Sequence, residues 1–185
     1  MRRLGALVLG LLLVAGAASG PGQAATPASA ATVVQATVLS ADSIHVKVLA
    51  HLARGDIAGA IAMYEVHTGR VAPAWLMDLQ VAYGVANQAA GHCQQVARFI
   101  HTAFIKLGQT PQYIAFRTDE KRPYMVFELL NGKSPSVSRN GYHVAVRAGD
   151  LIYDAYTGPV GMKLSDYLSR LHAQYPVVWE VVVSP

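Results

Sequence analysis

The feature that most constrains this chain is a change of hydrophobic period at Pro111. Ahead of it, Cys93, Val96, Ala97, Ile100, Phe104 and Leu107 recur at three- and four-residue steps until Gly108, the stripe of a helix buried on one side. Behind it the apolar residues gather in short, β-branched and aromatic runs: Tyr113 to Arg117, Tyr124 to Leu129, Tyr142 to Arg147, Leu151 to Tyr156 and Val177 to Val183. Helices first and strands second predict an α+β fold, with N-terminal helices packed on a largely antiparallel sheet. The charged turn between the first two runs predicts that they pair as a hairpin, and the largely apolar run Val177 to Val183 predicts an interior strand. Leu164 to Gln174 has the spacing of one more short helix.

The earlier part of the chain divides into four stretches. Residues 1–24 open with Met1-Arg2-Arg3 and continue as an apolar run ending in small residues, the layout of a secretory signal peptide cleaved near Gly22-Gln23-Ala24. The run is short for a bilayer span, which needs about 20 apolar residues, so no stable membrane insertion is expected after cleavage. Secretion or a bacterial periplasm is the expected destination. Residues 25–40, poor in anything to bury, read as a disordered linker. Residues 41–70 form a helical hairpin, Ile44 to Arg54 and then Ile57 to Thr68, with Asp56 capping the second helix. The phrase from Leu52 to Tyr64 is like one tetratricopeptide-type helix pair, but no second copy follows, so the hairpin reads as a cap or lobe. Residues 71–185 make the main domain, starting with a helix from Pro73 to about Ala90.

Charge excludes one class of function. Of the 15 Lys and Arg, two leave with the signal, so the net charge falls from +4 to about +2. No basic stripe with interleaved aromatics remains to follow a phosphate backbone, which argues against nucleic-acid binding.

Cys93 is the only cysteine, in a chain expected to leave the reducing cytosol. Two residues after Gly91, it opens a helix, where the dipole and the unpaired N–H groups favour a thiolate. Of the seven histidines, His45, His51, His67, His101 and His172 fall on predicted helices without an acid at a useful spacing. His92 adjoins the cysteine and points about 100° away from it. His143 is placed differently. A two-residue turn at Ala148-Gly149 sets it opposite Asp154 on one sheet face, so that one imidazole nitrogen meets the carboxylate while the other is free for Cys93. That predicts a Cys93, His143, Asp154 catalytic set, with Gln88 and Asn87 as candidates for the oxyanion hole beside the Cys93 N–H. The loop Asn131 to Gly141 is a candidate lid. Cys93, His92, His101 and His143 match no zinc-ligand spacing, and no Gly-rich phosphate loop is present, so neither metal nor cofactor is expected.

On these residues, Gly91-His92-Cys93-Gln94-Gln95-Val96-Ala97, the strand Tyr113 to Arg117, Tyr142-His143-Val144-Ala145-Val146 and Leu151-Ile152-Tyr153-Asp154, the segment from about Gln88 to Leu171 resembles the papain-like fold toxin domains of bacterial polymorphic toxin systems. The resemblance implies a papain-like fold and a Cys-His-Asp set at Cys93, His143 and Asp154. It implies a thiol hydrolase of the peptidase or protein glutamine deamidase type, a toxin or effector among its roles. A protein or peptide substrate is the expected partner, with an inhibitor or immunity protein as a further candidate. A peptidoglycan amidase and a catalytically inactive binding or inhibitor module are the alternatives.

Overall fold

The change of period at Pro111 divides the molecule as expected. The computed structural model describes residues 43–119 and 123–185, so the predicted signal and linker lie outside the described residues. Helix α1 runs over residues 43–52, α2 over Ile57–Thr68, α3 over Ala74–Ala82 and α4 over Cys93–Lys106. Asp56 caps α2 by accepting from the Gly59 N–H at 2.8 Å, and Gly69 closes it in the left-handed conformation. Val48, Ile57 and Ala60 of the α1–α2 hairpin belong to the same hydrophobic core as Leu76, Leu79, Val96 and Ile100. The hairpin is therefore joined to the rest through shared apolar burial.

Eight strands follow among the described residues: β1 Gln112–Arg117, β2 Met125–Phe127, β3 Ser136–Ser138, β4 Tyr142–Ala148, β5 Leu151–Tyr153, β6 Met162–Lys163, β7 Leu171–Ala173 and β8 Val178–Val182. Helix α5, Leu164–Arg170, lies between β6 and β7. One sheet has the order β6-β5-β4-β1-β8 and a smaller one the order β3-β2-β7. Each strand pair in them is antiparallel, which makes the class α+β.

Helix α4 packs on the large sheet where Tyr113, Val146 and Tyr153 align across β1, β4 and β5. Its His101 stacks on Tyr113 with ring centroids 4.2 Å apart, and its Phe104 meets Tyr153 edge-on at 4.7 Å. Phe116 and His143, directly paired across β1 and β4, belong to the other face, where Tyr167 of α5 and Phe127 of β2 complete an aromatic cluster. The large sheet is thus covered on both sides.

Several sequence expectations are corrected. β1 and β2 do not pair: β1 lies between β4 and β8, while β2 joins the small sheet. Val177 to Val183 supplies an edge strand, with Val178, Trp179 and Val181 exposed, because its apolar run has a neighbour on one side only. Helix α3 stops at Ala82, and Val85–Asn87 is a single 3-10 turn in which Val85 is exposed. Helix α5 stops at Arg170, since Leu171, His172 and Ala173 pair with Phe127, Val126 and Met125 as β7. The loop expected from Asn131 to Gly141 contains β3.

Candidate active site

Gly91 turns the chain into α4 with φ at +97°, a backbone conformation that a side chain disfavours. The next residue but one, Cys93, is the first of the helix, half-buried, with the amide groups of the helix start around it. His143 comes from β4 and is buried, as is Asp154, just past β5.

The hairpin that carries them has a register two residues away from the one expected. Ala148 pairs with Leu151, Arg147 with Ile152 and Val146 with Tyr153, so the turn residues are Gly149 and Asp150. A two-residue shift preserves side-chain parity, because strand side chains alternate with period two. Asp154 therefore still lies on the His143 side. The ladder ends at Tyr153, and the bend after it brings Asp154 Oδ2 to 3.0 Å from His143 Nε2.

Four donors converge on the Asp154 carboxylate. Oδ1 accepts from the backbone N–H groups of Tyr156 at 2.8 Å and Thr157 at 2.9 Å, while Oδ2 accepts from His143 and from the Tyr167 hydroxyl at 2.6 Å. Burial raises the carboxyl's proton affinity, but the His143, Tyr167 and Thr157 bonds outweigh it and hold the group below its usual range. Burial and the neighbouring carboxylate push the Tyr167 phenol well above its ordinary value, so it remains a donor.

With Nε2 committed to Asp154, Nδ1 of His143 is the one buried side-chain nitrogen or oxygen among the described residues without a hydrogen-bond partner. Its neighbour is the Cys93 thiol, and the two groups shift each other's proton affinity. The contact does not reach a full hydrogen bond in the resting chain, which leaves Nδ1 free to complete one. Burial pulls the imidazole pKa down, yet the bond to Asp154 first and the Cys93 interaction second raise it to about 9. Burial likewise pushes the thiol up. Interaction with His143 and the N–H groups of Val144 and Gln94 overcomes that and brings Cys93 below its ordinary value. Both shifts favour a thiolate beside an imidazolium.

A cleft of about 310 Å³ opens at the sulfur. Ala90, Gly91, Cys93 and Gln94 line one side, with Ser138, Arg139, Asn140 and Tyr142 on the other. The backbone amides at the start of α4 and the Gln94 side chain, which lines the cleft, can supply donors for an oxyanion. Gln88 and Asn87 have structural bonds of their own: Gln88 Nε2 donates to the Ala155 carbonyl at 2.9 Å, and Asn87 Nδ2 donates to that of Val81 at 2.6 Å. Neither lines the cleft. Gln88 instead ties the approach to the cysteine helix to the segment that carries Asp154.

Three of the remaining histidines are held elsewhere, two of them by acids that sequence spacing did not reveal. His51 Nδ1 meets Asp56 Oδ2 at 2.7 Å, and His172, on β7, meets Glu128 at 3.3 Å. His92 Nδ1 meets Asn87 Oδ1 at 3.1 Å. Sequence reasoning missed Tyr167. Leu164, Tyr167, Leu168 and Leu171 have the spacing of a buried helix face, which signals burial of the ring but not the partner of its hydroxyl.

No family model, curated protein or solved structure matches this chain. Among the described residues, no helix is long and apolar enough to cross a membrane.

Proposed function

We propose that the chain is an exported, papain-like thiol hydrolase that attacks an amide carbonyl of a protein or peptide, as a peptidase or a glutamine deamidase. The supporting observation is the arrangement of one imidazole: Asp154 holds Nε2 at 3.0 Å, while the buried Nδ1 has no partner other than the thiol that opens α4. The chain order of cysteine, histidine and aspartate agrees with the resemblance read from the sequence.

In this reading the Cys93 thiolate adds to the carbonyl carbon, and the C=O electron pair moves to oxygen, stabilised by N–H groups at the start of α4. The C–N bond breaks as His143 gives its Nδ1 proton to the leaving nitrogen, yielding an amine or ammonia and a thioester on Cys93. His143 then takes a proton from water, whose oxygen displaces the sulfur and releases the carboxylic acid. Asp154 keeps the ring oriented and stabilises the imidazolium throughout.

Incubation of the protein with unfolded proteins and glutamine-rich peptides, followed by mass spectrometry, tests the reading. Chain cleavage indicates a peptidase, and a gain of about one dalton at glutamine a deamidase, both lost in Cys93→Ala. Absence of both products, together with alkylation of Cys93 at the rate of a free cysteine, would remove the proposal.

A further inference from the structure

Opposite Cys93 stands a short loop whose shape is fixed by its own side chains. Ser138, 2% exposed, donates to Asn140 Oδ1 at 3.1 Å, and its oxygen accepts from the N–H groups of Asn140 at 3.3 Å and Tyr142 at 3.0 Å. Gly141 then enters β4 at φ +77°, donating to the Pro123 carbonyl at 2.9 Å and accepting from the Thr118 N–H at 3.0 Å. Its place is tight, since a Cβ there would lie 3.2 Å from the Thr118 oxygen. The segment that the sequence offers as a lid is thus a pinned rim at this end. Arg139 projects from its corner into the cleft wall, exposed; among the described residues it is in no ion pair, and it is the one Lys, Arg, Asp or Glu among those that line the cleft. The Arg139 guanidinium is therefore the one permanent charge among the described residues that line the cleft. A guanidinium that borders a cleft and is carried on a pinned loop is suited to a carboxylate, which it can hold through two parallel N–H bonds.

We propose that Arg139 is a specificity residue that selects substrates carrying a carboxylate close to the attacked amide, such as a peptide with an acidic side chain beside the scissile bond. This rests on the thiol-hydrolase reading, with the same cleft as the substrate channel. Fixing one end of the substrate would set its carbonyl over the sulfur.

The test uses two affinity labels that differ in one charge, chloroacetyl-glutamic acid α-amide and chloroacetyl-glutamine amide. Each reacts as the Cys93 thiolate displaces chloride, forming an S–C bond. The wild-type chain should react faster with the glutamate label by roughly three- to tenfold, the size of one unit charge acting across a solvated cleft. Arg139→Gln should remove the preference while leaving the glutamine-label rate within about twofold, Arg139→Glu should reverse it, and salt should erode the preference of the wild type and of Arg139→Glu but leave Arg139→Gln unchanged. An unchanged ratio in Arg139→Gln, or an equal fall with both labels, would overturn the proposal. Failure of the hydrolase reading shows separately, as a glutamine-label rate no higher than that of a free cysteine.

Discussion

Tyr167 and His143 donate to the same oxygen, Oδ2 of Asp154, from opposite elements of the fold, a short helix and a central strand. The carboxylate is therefore fixed in direction, and the imidazole it holds is fixed with it.

Tyr167→Phe tests that relationship. It removes the 2.6 Å bond while keeping the ring in its aromatic cluster, and it leaves a buried carboxylate one donor short. Stability should fall by about 1–3 kcal/mol at neutral pH in urea unfolding. The stability linked to a lowered carboxyl pKa is present above the unfolded value and is lost as pH falls through the folded one. The difference between variant and parent should accordingly narrow in acid.

The thiol should titrate early. Iodoacetamide labelling of Cys93 across pH should give a midpoint below that of a free cysteine, because His143 and two backbone N–H groups outweigh burial. In His143→Ala the burial remains and the largest compensating partner is gone, so the midpoint should move up. A wild-type midpoint that is unshifted, and indifferent to that substitution, would contradict the geometry.

Alkaline pH should destabilise the fold through His143. Between the unfolded value near 6.5 and the folded value of about 9, the folded chain holds this proton and the unfolded chain releases it. The contribution is complete below the lower value and lost as pH rises through about 9. The lowered thiol pKa works in the opposite sense, so the measurement belongs in Cys93→Ala, where the Asp154 bond alone raises the imidazole. Urea midpoints from pH 6 to 10 should decline in that variant and flatten once His143→Gln is added.

Two glycines should respond unequally to alanine. Gly91 has φ +97° with open space around it, so Gly91→Ala carries only backbone strain, about 1–2 kcal/mol. Gly161 has φ +71°, and a Cβ there would lie 2.6 Å from the Tyr153 ring, which is itself packed on Phe104. Gly161→Ala should cost distinctly more in thermal and urea unfolding.

How much of this was legible in the sequence depended on the range of the interaction. Helix caps and the start of α4 follow from neighbouring residues, as Asp56 with Gly59 and Gly91 before Cys93 illustrate. The pairing of His143 with Asp154 survived an incorrect turn because a slip of two residues keeps a side chain on its face. Which strand lies beside which did not follow, since β-branched runs such as β2 and β8 state that they are strands and not who pairs with them. Tyr167 was hidden for a related reason: its hydroxyl meets a partner 13 positions away across the core, at no characteristic spacing.

Cys93 belongs to the helical half of the chain, whereas every group that acidifies it except the Gln94 amide comes from the strand half. The lowered proton affinity of this sulfur is consequently a property of the finished molecule. An unfolded chain holds an ordinary thiol, and the shift arises only when its two halves close on each other.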